Sequence, residues 1–263
     1  MKGKLINHSR AIASAAFLSL LLVACNNSKP SAQQPTDTAT VQPTVVSEEP
    51  TLEKPTVEVA KRYYGIDVSK WNGKEVSEIV PADSLTFVIC KATQGLTGID
   101  PDFKTNLAAI KKQGLISGAY HFYQVGDDPN TQAAHFWNTI GANGGIDIAP
   151  VVDIEQGSLP KGKANTTTIQ KNLLVFLKAL EKSCGKVPMI YTGAAFGEQY
   201  LNNPVFAKYP LWLAEYTQSS KPKVPKTWAK TGYKIWQRSD GYKINSTTTD
   251  FDVYFGTKSN LTK

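Results

Sequence analysis

Ala149-Pro150-Val151-Val152-Asp153-Ile154-Glu155 is an apolar run that ends in two carboxylates two residues apart. Read as a strand, it places Asp153 and Glu155 on the same face, because alternate strand residues share a side. At about 3.3 Å rise per residue their Cα atoms are roughly 6.6 Å apart. Around it, short β-branched and aromatic runs alternate with helical patterns, as in a chain built from βα units. Eight strands are predicted: Tyr63–Val68, Leu85–Lys91, Ile116–Tyr123, Ile148–Glu155, Val187–Tyr191, Leu211–Glu215, Tyr233–Gln237 and Phe251–Tyr254. Apolar residues recurring every three to four positions predict helices near Phe103–Gln113, Pro129–Ile140 and Thr167–Lys182. Residues from Asn165 to Thr168 supply N-cap side chains for the third. The last three strands are joined by connections too short for helices. The expected fold is therefore one α/β domain, a β/α barrel whose helical coat is incomplete on the C-terminal side. An open doubly wound sheet is the alternative, but no G-x-G-x-x-G follows the first strand.

Acidic residues collect at predicted strand ends: Asp67, Asp153 with Glu155, Glu215 and Asp252. In a parallel barrel those ends converge on one mouth. Carboxylates gathered there repel, and repulsion keeps one of them protonated near neutral pH, as an acid catalyst requires. The Asp-x-Glu pair suits glycosidic cleavage, in which one carboxyl protonates the leaving oxygen and the other stays ionised beside the anomeric centre. Spacing alone does not separate retention from inversion, and such a pair also occurs on solvated loop edges or as a metal-binding pair.

The N-terminal part reads differently. Lys2, Lys4 and Arg10 precede an apolar core of about 14 residues, Ala11–Ala24, and then Cys25. That is the pattern of a signal peptide, and it is shorter than the roughly 20 residues a membrane-spanning helix needs. Leu22-Val23-Ala24-Cys25 resembles a lipobox, which implies cleavage before Cys25 and a lipidated thiol. The expected location is a membrane-anchored lipoprotein outside the cytoplasm, periplasmic or at the cell surface. Asn26 after the cysteine, rather than Asp, leans toward an outer membrane where the host has two. Residues 26–60 carry Pro30, Pro35, Pro43, Pro50 and Pro55 and no aromatic side chain, so they read as a disordered tether. The expected organisation is a signal peptide over 1–24, a lipidated cysteine and tether over 25–60, and a catalytic domain over 61–263.

The chain has 29 basic and 22 acidic residues, a formal charge of +7. The signal contributes +3 and the tether −3, so the folded domain carries +7 by itself. A basic domain outside the cytoplasm has anionic wall polymers or lipid headgroups as partners, and no basic run with interleaved aromatics argues for nucleic acid. A hydrophobic content of 41% and only 3 cysteines exclude a wholly disordered, collagen-like or disulfide-dense chain.

Seven ordered segments carry a family resemblance. Tyr64-Gly-Ile-Asp67-Val-Ser-Lys-Trp71-Asn-Gly73 resembles the "GIDVSxWQG" opening of the glycoside hydrolase family 25 lysozymes, the Chalaropsis-type N-acetylmuramidases. Lys91-Ala-Thr-Gln-Gly95 resembles their "KATEG", Gly118-Ala-Tyr-His121-Phe122 their "GxYHF", and Asp153-Ile-Glu155 their "DxE". Leu211-Trp212-Leu-Ala-Glu-Tyr216 resembles "WxAxY", Ile235-Trp236-Gln237 "WQY", and Phe251-Asp252-Val-Tyr-Phe255 "VDxNxF". The resemblance implies a flattened, incomplete eight-stranded barrel that cuts the β-1,4 bond between N-acetylmuramic acid and N-acetylglucosamine. It implies Glu155 as general acid and then base, with Asp153 assisting attack by the substrate's own acetamido group; direct displacement stays open. Asp67 and Asp252 match the family's other two active-site carboxylates. Asp250 is two residues from Asp252, and the following Val253-Tyr254-Phe255 favours Asp252 as the match. Gln94, Asn72 and Tyr254 depart from the usual Glu, Gln and Asn.

Tyr120, Tyr123, Tyr191, Tyr216, Trp71, Trp212 and Trp236 are candidates to line a sugar groove, since an aromatic face covers a pyranose and a polar tip binds its hydroxyls. His121 is expected to be structural, no zinc site is supported, and Cys90 and Cys184 are expected to be core thiols rather than a disulfide. The expected partners are peptidoglycan strands and, through Cys25, a membrane; the domain is expected to act as a monomer without cofactor or metal. A binding domain that holds wall glycan without cutting it, and a chitinase-like hexosaminidase, are the competing readings.

Overall fold

The computed structural model describes residues 59–72, 76, 79, 84–161, 165–244 and 247–263. The signal peptide, Cys25 and the tether as far as residue 58 lie outside the described residues. The chain divides into residues 1–54 and 55–263, and the second unit carries every element below.

Strands β1 (Lys61–Val68), β2 (Leu85–Gln94), β4 (Ile116–Phe122), β5 (Val151–Asp153), β6 (Met189–Gly193), β7 (Leu211–Ala214), β8 (Ile235–Ile244) and β9 (Thr247–Gly256) form a closed ring, with the short β3 (Gly98–Ile99) paired to the end of β2. The ring runs β1-β9-β8-β7-β6-β5-β4-β2 and closes where β2 pairs β1 in parallel. Every ring neighbour is parallel except β9, which is antiparallel to both β8 and β1. The eight expected strands are thus present, and it is the helical coat, not the strand ring, that is incomplete.

Prolines move the strand boundaries. The segment predicted over Ile148–Glu155 pairs only over Val151–Asp153, and the one predicted from Val187 starts at Met189. Pro150 and Pro188 immediately precede these starts and have no N–H to give to a ladder. The two final strands are longer than predicted because they form one hairpin, paired from Ile235↔Tyr254 to Ile244↔Thr247 with register shifts between Gln237 and Tyr242.

Helices α1 (Phe103–Lys112), α2 (Pro129–Ala142) and α3 (Thr166–Cys184) match the predicted ones. Asp128 caps α2 by accepting from the Thr131 N–H at 2.8 Å, and Asn165 caps α3 from Thr168 at 3.0 Å. Gly185, at φ 69°, ends α3 in the left-handed conformation that glycine adopts without a Cβ clash. Two short helices, α4 (Ala194–Tyr200) and α5 (Lys258–Leu261), are additions to the expected set.

The core has two layers, sorted by strand alternation. On β2, Phe87 and Ile89 point into the barrel with Val151, Met189, Trp212 and Ile235. Val88 and Cys90 point outward, into a layer with Val152, Ile190, Ile110, Phe136, Leu173 and Phe176. Cys90 and Cys184 are both free thiols; Cys90 is a core residue as expected, whereas Cys184, in the last turn of α3, is only partly buried. His121 is fully buried between Phe136 and Phe176, bonded to Thr93 Oγ1 at 2.7 Å and Gln132 Oε1 at 3.1 Å. Burial holds its pKa down at about 3, so it is a neutral structural residue. No described helix is long and apolar enough to cross a membrane.

Candidate active site

The inward face of β5 continues from Val151 through Asp153, and the next inward residue, Glu155, opens a 3-10 turn over Gln156–Ser158. Ser158 is fully buried and its Oγ accepts from the Glu155 N–H at 3.1 Å, fixing the backbone that carries Glu155. Asp153 is buried, and its Oδ1 has no hydrogen-bond partner. Glu155 is half-exposed.

These two carboxyls share a cavity of about 330 Å³ with Asp67, Asp250, Lys91, Tyr120, Tyr191 and Tyr216. Asp67 comes from the end of β1. Asp250 faces it across the β1–β9 ladder, which is possible because β9 is antiparallel and brings its N-terminal half to the mouth. A second depression of about 420 Å³, lined by Glu155, Tyr191, Tyr216 and Glu215, adjoins the first. Glu155, Tyr191 and Tyr216 line both, so the site is a groove with space on either side of Glu155.

Gln237 ties three walls together. Its Nε2 donates to Asp67 Oδ2 at 2.7 Å, while its Oε1 accepts from the hydroxyls of Tyr191 at 2.9 Å and Tyr216 at 2.8 Å. Trp212 closes the floor, donating from Nε1 to Asp252 Oδ1 at 2.7 Å and meeting the Tyr191 ring edge-on with centroids 4.7 Å apart. Lys91 is the one cation among the residues lining the main cavity. It reaches in from β2, donates to Gln94 Oε1 at 2.8 Å and lies over the Phe122 ring.

Burial sets the electrostatics. Desolvation raises the pKa of Asp67, Asp153 and Asp252 well above the usual carboxylate range and raises that of Glu155. Neighbouring carboxylates add to the rise, Asp252 and Asp250 at Asp67 and Glu155 at Asp153. Lys91 opposes it at both Asp153 and Glu155. Asp250 is pushed up to about 6, first by burial and then by Asp240. The site is an acid-loaded groove in which several carboxyls retain protons that free side chains would have lost.

Residues 66–247 match the profile of the family described as "Glycosyl hydrolases family 25". The chain belongs to glycosyl hydrolase family 25. This family-25 domain is similar to "Uncharacterized protein YegX" of Escherichia coli K12, 33% identical over 205 residues that cover 75% of this chain and 71% of that one. It is similar to the "Autolytic lysozyme" of Clostridium acetobutylicum, 31% identical over 189 residues, 72% of this chain and 54% of the relative. Among solved structures, the bacterial lysozyme of Streptomyces coelicolor superposes with a TM-score of 0.65 at 26% identity, covering 76% of this chain and 94% of that one.

The family-25 domain brings together most, but not all, of the residues picked from sequence. Asp67, Asp153, Glu155, Tyr120, Tyr191, Tyr216 and Trp71 line the cavity, Trp71 as an 80% exposed rim residue. Asp252 is fully buried beneath the floor, where it accepts from Trp212 Nε1 and interacts directly with Asp67. Tyr123 does not line the groove: alternation from β4 sends Tyr120 and Phe122 inward and His121 and Tyr123 outward, so Tyr123 is buried against Phe176 in the layer between strands and helices. Trp236 also points away, since alternation on β8 sends Ile235 and Gln237 inward and Trp236 out. Lys91, Gln237, Asp250, Ser69 and Phe122 belong to the site or its supporting network and were not picked. The sequence signal for Gln237 is its place beside Trp236 in the Ile235-Trp236-Gln237 segment. Among the described residues no group of three or more side chains is arranged to hold a metal ion.

Proposed function

We propose that this family-25 domain is an N-acetylmuramidase that hydrolyses the β-1,4 bond between N-acetylmuramic acid and N-acetylglucosamine in peptidoglycan. The observation that carries the reading is the pairing, in one open groove, of a half-exposed Glu155 with a buried Asp153 whose Oδ1 lacks a hydrogen-bond donor. Glu155 sits where the two depressions meet, as the acid at a scissile bond must. Its raised pKa keeps a proton available for the leaving oxygen, after which the carboxylate takes a proton from the incoming water. Asp153 Oδ1 accepts from the acetamido N–H of the bound sugar. That orients the acetamido oxygen toward the anomeric carbon, so the substrate supplies the nucleophile. Lys91 favours the ionised form of Asp153 and limits the rise at Glu155. Tyr120, Tyr191 and Tyr216 supply ring faces and hydroxyl edges for pyranose binding. Asp67, in the cavity wall, holds Gln237, and Asp252, beneath the floor, holds Trp212.

The test is release of reducing ends from purified peptidoglycan. Glu155→Gln is expected to lower kcat by about 10²–10⁴-fold while glycan binding persists. Equal rates for the parent and the variant would sink the assignment, and turnover of chitin oligomers in preference to muramyl-containing glycan would move the domain to hexosaminidase chemistry. We further propose, from Leu22-Val23-Ala24-Cys25, that the protein is held at a membrane outside the cytoplasm through lipidated Cys25.

A further inference from the structure

The groove is acidic although the folded domain carries a formal charge of +7, so the basic side chains lie elsewhere. One cluster of them is on the outer face of the β1–β9–β8 sheet, the part of the barrel that the long helices leave uncovered. Arg62, Lys221 and Arg238 rim a depression of about 360 Å³ whose lining contains no acidic residue. All three are exposed, and among the described residues none of them forms an ion pair. Between the cations lies an aromatic floor and wall. Tyr64 and Trp236 both pair with Val253 from opposite sides, and Arg62 pairs with Phe255, so one face of three adjacent strands supplies the surface. Tyr233 meets Trp236 edge-on and the Arg238 guanidinium lies 5.2 Å from the Trp236 ring centre. Phe255 is 68% exposed.

We propose that this face is a second glycan-binding site, separate from the groove, that takes a carboxylate-bearing peptidoglycan strand. The identity of the strand rests on the muramidase reading above. Aromatic faces cover the apolar sides of pyranose rings, and guanidinium forks hold carboxylates in bidentate geometry. A neutral glycan would leave three unpaired cations unused, and a purely apolar partner would bury them at a cost. Trp236, which alternation turns out of the groove and which is itself buried, is the floor that supports the exposed Tyr64, Tyr233 and Phe255 rings. The depression shares no lining residue with the groove, so on this proposal it holds a different strand from the one being cut. Its effect is therefore confined to the insoluble, networked substrate.

The experiment uses the full chain carrying Glu155→Gln, cosedimented with purified peptidoglycan sacculi stripped of attached polymers. Adding Arg62→Ala with Arg238→Ala is expected to weaken binding about tenfold, and Lys221→Glu, on a different segment, to weaken it in the same direction. Added salt is expected to weaken the parent and to affect the double variant less. With Glu155 restored, the double variant is expected to lose activity several-fold on sacculi but to cut a short soluble muramyl oligosaccharide at the parent rate. Unchanged cosedimentation of properly folded variants, checked by Tm, overturns the proposal. Loss of binding to phosphatidylglycerol vesicles without loss on sacculi also overturns it and assigns the face to a membrane. If the parent cuts neither substrate while the binding difference persists, the second site stands and the hydrolase reading falls.

Discussion

At the scale of single residues, the site is governed by one cation among acids. Lys91 lowers the pKa of both Asp153 and Glu155, and burial in turn lowers its own. Lys91→Met is therefore expected to move both limbs of the kcat/KM profile to higher pH. Asp153 then needs a higher pH to ionise, and Glu155 keeps its proton to a higher pH; an unmoved profile would show that Lys91 is not felt at either carboxyl. Asp252 makes a second titration argument. Its folded pKa is raised, chiefly by burial, so the folded state binds its proton more tightly than the unfolded chain does. The associated stability is complete below the unfolded value near 3.9 and declines as pH rises toward the folded value. Asp252→Asn, whose Oδ1 can still accept from Trp212, is expected to melt at progressively higher temperature than the parent as pH rises above the unfolded value, by about 2–4 °C for each kcal/mol recovered. The carboxylates Asp67, Asp153 and Glu155 were legible from sequence because strand ends with acids are rare and informative. Tyr123, Trp236 and Gln237 were not: aromatic and amide side chains serve equally well on either face of a strand, and only the observed phase of alternation decides between them.

At the scale of elements, the parallel strands β1, β2, β4, β5, β6 and β7 follow directly from apolar runs between helical patterns, but β9 carries information no run of residues displays. A strand that returns antiparallel delivers its beginning to the mouth, which is why Asp250 lines the groove and Asp252 lies beneath it. The hairpin's full length was hidden because its distal half, Tyr242 to Thr249, is mixed in polarity. The proline-trimmed starts of β5 and β6 were hidden because apolar side chains persist where the ladder does not. Close packing inside the ring gives a test of β1. A Cβ at Gly65 would run into the Phe87 ring of β2. Gly65→Ala is expected to cost about 1–3 kcal/mol in denaturant unfolding and, by shifting β1, to lower kcat by displacing Asp67. A variant with parental stability and rate would mean that Phe87 moves freely, against the packing seen here.

At the scale of the whole molecule, the charge is divided between an acidic mouth and a basic body, and the lipidation proposed at Cys25 has its own test. Cys25→Ser is expected to move the protein from the membrane to the soluble fraction, checked by fractionation and metabolic fatty-acid labelling. The hydrolytic rate on dispersed peptidoglycan is expected to stay the same, since the described domain contains every proposed catalytic group. The ring closure has a temporal consequence. The seam joins the first strand to the last, Lys61 opposite Gly256, and the groove needs Asp67 from one and Asp250 from the other. A chain made from its N-terminus onward holds Asp67, Asp153 and Glu155 long before the strand that completes their surroundings exists. Such late-closing contacts form slowly, since the loop between partners spans nearly the whole domain. The wall of the groove that Asp250 supplies is therefore the last part of the site to be synthesised.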